Sequence, residues 1–162
     1  MLCLLEGWRK QISICFALYL LVKVFHTPDE LTAAAREAGF SECRVASAAA
    51  AGHAARFREW LADGCHGGMG WLARDPERRC DPRRVLDGCR TVLSLAVNYF
   101  PGPAPHDRYR IARYAWNDDY HAVVERMLRR VDKALRALGG RQSCYVDTGP
   151  VPERELAERA GL

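Results

Sequence analysis

The run TVLSLAVNYF, Thr91 to Phe100, constrains the fold more than any other stretch. Ten residues this apolar, without strict alternation, read as a strand buried on both faces. A strand of that kind has to be covered, and the surrounding sequence offers helices to cover it. HTPDELTAAAREAGF opens with Thr27 as N-cap, Pro28 at the first helical position and Glu30 completing a capping box. Leu31, Ala34, Ala35 and Ala38 share one face of that helix, and Gly39 ends it. ECRVASA, residues 42–48, reads as a short strand, and a second helix is expected over 53–62 with Phe57, Trp60 and Leu61 on its apolar face.

Glycines at 64, 67, 68 and 70 then interrupt regular structure, GWLARDP gives a short turn ended by Pro76, and Asp87-Gly88 turns into the apolar strand. After the proline-rich loop 101–107 comes RYAWNDDYH, with Asp118 or Asp119 as the cap of a long helix to Leu138. Val123, Val124, Met127, Leu128, Val131 and Leu135 form its core face, and Gly139-Gly140 stops it. SCYVD, 143–147, is a third strand before a Gly-Pro turn, and PERELAERAGL starts a final helix. Strands alternating with helices imply an α/β layered domain with a small mixed sheet flanked by helices, incomplete at its C-terminal end.

Residues 1–26 read differently from residues 27–162, which form the expected domain. The first 25 hold two of the chain's three lysines and a single alanine, Ala17. Their apolar run, Ile12 to Phe25, is shorter than the roughly 20 residues a spanning helix needs. No small-x-small cleavage site follows it, so it is expected to be a foreign extension or mis-assigned start, with a peripheral anchor as the alternative. The seven cysteines form no C-x-x-C and no zinc or iron–sulfur spacing, which fits reduced thiols in a cytoplasmic protein and gives no metal site. A formal net charge of +4 is compatible with RNA and equally common on proteins that bind none.

Four segments in order, LTAAAREAGF, HGGMGWLARDPERRCDPRRVLDGCRTVLSLAVNYF, IARYAWNDDYH and VDTGPVPERELAERAGL, resemble the N-terminal cobalamin-binding region of the epoxyqueuosine reductases. The resemblance covers about residues 27–162. It implies reduction of the epoxide of epoxyqueuosine, at the wobble position of certain tRNAs, to queuosine. It also implies cobalamin as cofactor, and two [4Fe-4S] clusters whose cysteine runs the family carries downstream and which this sequence does not contain. The partners so implied are a tRNA anticodon stem-loop and an external electron donor, for a cytoplasmic monomer with no stable membrane partner. By the same resemblance the chain is a fragment that is inactive on its own.

Asp147 stands at the end of an apolar strand, the edge where α/β sheets gather ligands. Partial burial would raise its pKa. The resemblance implies that it gives a proton to the oxygen released as the epoxide opens, the electrons coming from cobalamin. Its plainer role would be a turn former or the cap of the next helix. The same resemblance places Arg113, Tyr114, Tyr120 and His121 at the cofactor and substrate pocket, where aromatic faces and guanidinium donors suit a flat corrin with amide edges. Met69, Trp71 and Arg74, on the glycine loop, are the further cofactor candidates, with burial in the core beside Trp60 as the alternative for Met69 and Trp71. His66 is not assigned to cobalt. The arginines at 78, 79, 83 and 84 suit tRNA phosphates or simply a solvated turn. Two other readings stand beside the tRNA enzyme: a non-catalytic corrinoid- or RNA-binding fragment, and a corrinoid reductase acting on a small molecule.

Overall fold

The computed structural model describes residues 14–22, 28–98, 118–139 and 141–162. Four strands, β1 (Ile14–Leu21), β2 (Glu42–Ser47), β3 (Thr91–Asn98) and β4 (Gln142–Tyr145), form one sheet in the order β2-β3-β1-β4. The α-helices among the described residues are α1 (Pro28–Ala38), α2 (Ala54–Ala62), α3 (Pro76–Cys80), α4 (Tyr120–Ala137) and α5 (Glu153–Arg159). The layered α/β class is as expected. The sheet, however, is antiparallel at every described pairing rather than mixed.

The reason lies in the segment that the sequence sets apart. Ile14–Leu21 does not stand outside the domain. It inserts between β3 and β4, pairing Tyr19 with Leu93 on one side and with Cys144 on the other. Tyr19 and Leu20 are 0% exposed and Leu21 1%, so consecutive side chains enter opposite core layers. From Leu18 to Leu21 both backbone edges are paired, so the polar groups there are satisfied within the sheet. A boundary after residue 26 therefore does not separate β1 from the fold.

On one face of the sheet, Tyr19, Leu21, Leu93 and Leu95 meet Leu31, Ala35 and Ala38 of α1 and Val124, Leu128, Val131 and Leu135 of α4. The residues on the two helices recur at the 3.6-residue period that makes one apolar stripe. Tyr19 closes this layer by donating its hydroxyl to the Leu128 carbonyl. Gly39 ends α1 at φ 106°, and Phe40 N–H reaches back over it to the Ala35 carbonyl at 3.0 Å. Thr27, its expected cap, lies outside the described residues. Asp119 caps α4, its side chain accepting from the backbone N–H of His121 at 3.0 Å.

On the other face, Leu20 and Val92 join Ala48, Cys89, Val151 and Leu156, the last from α5. Two expectations change in the connection between β2 and β3. Pro76 begins a helix instead of ending a turn, because Asp75 accepts from Arg78 N–H and caps it. And α2 buries none of its residues: Phe57 and Trp60 stack at 6.1 Å between ring centroids on a half-exposed flank. That flank forms one wall of the site described next.

Candidate functional site

Beyond β4 the chain makes a tight reversal. Thr148 N–H donates to the Val146 carbonyl at 2.6 Å, closing a three-residue turn around Asp147. Asp147 has φ 54°, and it is the one non-glycine left-handed residue among those described. A left-handed aspartate costs about 1–3 kcal/mol and persists only where its surroundings impose it. Two neighbours do so here. The Tyr120 hydroxyl donates to Asp147 Oδ2 at 2.5 Å, while the Tyr120 ring packs against the first core layer. On the other side Glu153, at the start of α5, brings its carboxyl against Asp147. Gly149 permits the chain to fold back, since a Cβ there would lie 2.5 Å from Cγ of Tyr145.

The reversal opens onto a cleft of about 900 Å³ between the start of α5 and the connection from β2 to α3. Phe57, Trp71, Leu72 and Val151 give it apolar walls, and Asp147, Thr148, Glu153 and Arg79 supply polar groups. Trp71 is 50% exposed and Met69 44%, so neither belongs to the core, and Trp60 is itself only half-buried. The Arg79 guanidinium lies over the Trp71 ring at 5.1 Å and holds its plane at the cleft edge. The glycine loop below stays bare: a Cβ on Gly67, Gly68 or Gly70 would meet nothing within 4 Å.

Burial, with the charge of Asp147 beside it, pushes the Glu153 carboxyl up to about 8. Its Oε1 is enclosed and lacks a hydrogen-bond partner. Asp147 itself is exposed, so the partly buried carboxyl that the strand end leads one to expect is found at Glu153 instead. Nor does Asp147 cap α5: the cap position is Pro152, with no side-chain capping bond. Glu155 fixes the opposite wall. It accepts from the backbone N–H groups of Gly52 and His53 and from Arg159, and pairs with His53 Nδ1 at 2.8 Å. Burial alone would raise the Glu155 carboxyl; these hydrogen bonds outweigh it and hold it below the ordinary glutamate range.

Of the residues singled out in the sequence, Asp147 and Trp71 line the cleft, and Tyr120 reaches it through Asp147. His121 does not join them there. Its Nδ1 binds Asp119 Oδ1 at 2.8 Å, and the residue lines a smaller depression of about 380 Å³ with Tyr145 and Thr148. Its ring nonetheless lies 4.0 Å from that of Tyr120. Met69 and Arg74 are exposed on the neighbouring loop without lining the cleft. Arg113 and Tyr114 lie outside the described residues. The reading of the sequence missed Glu153, Phe57 and Arg79 as wall residues. For Glu153 one signal was present, a second carboxylate six residues after Asp147 across a Gly-Pro turn. Among the basic turn residues Arg83 is held by Asp81 at 2.8 Å and Arg79 by Trp71, leaving Arg84 exposed to solvent.

A left-handed aspartate between a hydroxyl donor and a second carboxyl, at the mouth of an aromatic-walled cleft of an α/β domain, is an arrangement that can accept a ligand and move a proton. Comparison with known proteins makes the class specific. Residues 79–148 match the family described as epoxyqueuosine reductase QueG, DUF1730, and this segment of the chain belongs to it. The epoxyqueuosine reductase of Leadbetterella byssophila is 36% identical over 139 residues, covering 82% of this chain and 45% of that protein. That of Gloeobacter violaceus is 42% identical over 143 residues, covering 84% and 44%. The chain thus spans under half the length of these relatives. The structure of epoxyqueuosine reductase from Streptococcus thermophilus shares the fold with a TM-score of 0.66 at 24% identity, over 84% of this chain and 39% of that one.

Proposed function

We propose that this chain forms part of a cobalamin-dependent reductase that opens the epoxide of epoxyqueuosine in tRNA to give queuosine. The observation that carries the reading is the placement of Asp147, pinned by Tyr120 beside a large cleft with a flat aromatic shelf. The residues present fit a corrin. Trp71 and Phe57 offer apolar faces for a planar macrocycle, and the bare backbone at Gly67, Gly68 and Gly70 allows close approach. Arg79, Thr148 and Arg154 stand at the edge, where amide groups need donors and acceptors. The cofactor, when bound, supplies the electrons for epoxide opening. What the chain supplies is orientation and a proton. Asp147 gives that proton to the oxygen released from carbon, and Tyr120 fixes which carboxyl oxygen faces the ligand.

The same reading takes tRNA and an external electron donor as partners of a cytoplasmic monomer. No helix among the described residues is long and apolar enough to cross a membrane.

Anaerobic titration of the folded chain with cob(II)alamin, followed by its visible spectrum, tests the reading. Saturable binding is expected, weakened about tenfold in Trp71→Ala by loss of one aromatic face. A folded wild-type chain that leaves the spectrum unchanged, or a Trp71→Ala variant that binds as tightly as wild type, would overturn it.

A further inference from the structure

We propose that Glu153 is a positioning residue of this site, its carboxyl holding a proton against Asp147. The proposal deepens the reading above and rests on it for the ligand, though not for the proton pair itself. Three observations converge. Both carboxyls line the same cleft, one at the left-handed turn after β4 and one in the first turn of α5. Oδ2 of Asp147 is already engaged by the Tyr120 hydroxyl, which constrains how its carboxyl presents to Glu153. And Glu153 Oε1 is enclosed without a hydrogen-bond partner, a position that an ionised carboxylate would occupy only at high desolvation cost.

Two carboxylates that meet in a partly buried site do not both ionise easily, and burial first, then the facing charge of Asp147, keeps a proton on Glu153. Other charged groups line the cleft, namely His53, Arg79, Arg154, Glu155 and Glu158. At Glu153, though, the balance is set by burial and by Asp147. His53 and Glu155 are bound to each other, and Arg79 is engaged by Trp71. From α4 the facing group is Tyr120, which acts through Asp147.

In a turnover the Glu153 proton leaves through Asp147. One carboxyl O–H bond breaks and one O–H bond forms on the alkoxide of the ligand, with no electron moving in this step. Both carboxyls are then charged, and one proton taken from water restores the pair. Glu153 therefore acts in this step through Asp147. It holds the proton that Asp147 passes on.

The experiment is a carbon-detected NMR titration of the folded full chain with its glutamate carboxyls labelled. The Glu153 signal is expected to titrate several pH units above the other glutamates, and that high step disappears in Glu153→Gln. Asp147→Asn leaves the α5 residue in place and removes the charge facing it, so the Glu153 midpoint drops. A Glu153 midpoint in the ordinary glutamate range overturns the proposal, as does one that Asp147→Asn leaves unmoved. Because the readout uses no cofactor, loss of cob(II)alamin binding with the high step intact would sink only the functional reading. The reverse outcome would sink only the proton pair.

Discussion

Replacing Gly149 with alanine tests the geometry of the site most directly. An added Cβ would lie 2.5 Å from Cγ of Tyr145 and 2.7 Å from its Cβ and Cδ1. Carbon atoms in contact prefer about 3.5–4.0 Å, so the methyl overlaps three atoms by roughly 1 Å each. None of the three is the free end of a flexible chain. The Tyr145 Cβ is anchored to β4, which pairs there with Leu18 of β1, and the ring packs against the layer of Leu20, Val92 and Leu156. The turn itself must move, and overpacking of this kind costs about 1–3 kcal/mol. We expect about 2–3 kcal/mol, measured as a lowered midpoint in urea denaturation followed by far-UV circular dichroism. Gly68→Ala is the control: its Cβ meets nothing within 4 Å and its φ is not left-handed, so it should change stability by less than about 0.5 kcal/mol. Equal midpoints for the two variants would refute the close approach at Gly149, and with it the account of how Asp147 is held.

Leu156→Ala, at a side chain 0% exposed, should cost about 3 kcal/mol in the same assay and open the second core layer. The Glu155 carboxyl is depressed in the folded state, so its contribution is present above the ordinary glutamate value and lost as pH falls through the folded one. Wild type should therefore lose more thermal stability than Glu155→Gln between about pH 5 and pH 3. Glu153 carries the opposite sign. A raised folded value leaves this contribution intact below the ordinary glutamate value and costs the fold progressively as pH rises towards 8, so Glu153→Gln should gain on wild type in melting temperature between about pH 4.5 and pH 8. Tyr120→Phe removes the hydroxyl that donates to Asp147 Oδ2 and should cost less than about 1.5 kcal/mol in the urea assay.

What could be read from the sequence was whatever local chemistry decides. Gly39 and Gly139 stop their helices, the period from Val124 to Leu135 turns one stripe of α4 inward, and Thr91 to Asn98 is a covered strand. What could not be read depended on partners far away in the chain. An apolar run such as Ile14–Leu21 carries the same signal whether it is a stray leader or a central strand, and only its pairing with β3 and β4 decides. Pro76 was ambiguous for a related reason, since a proline ends one helix or begins another according to whether its neighbour caps. In the site, Asp147 was marked by its place at a strand end and, like Trp71, by the family resemblance. Glu153 was not, because a glutamate in the first turn of a helix is ordinary until the chain folds a second carboxyl against it.

The clasp between α5 and the segment after β2 has a consequence for how that segment can vary. Arg159 grips the carbonyls of Ser47, Ala49 and Ala50, while Glu155 takes the N–H groups of Gly52 and His53. Apart from the His53 ring, the grip is on main-chain atoms, which every residue but proline presents alike. The shape of the cleft's far wall is thus written in two side chains of α5, not in the wall's own letters. A monotonous stretch such as SAAAAG suffices there, and substitutions within it should drift freely so long as they stay small, whereas Glu155 and Arg159 should change only together.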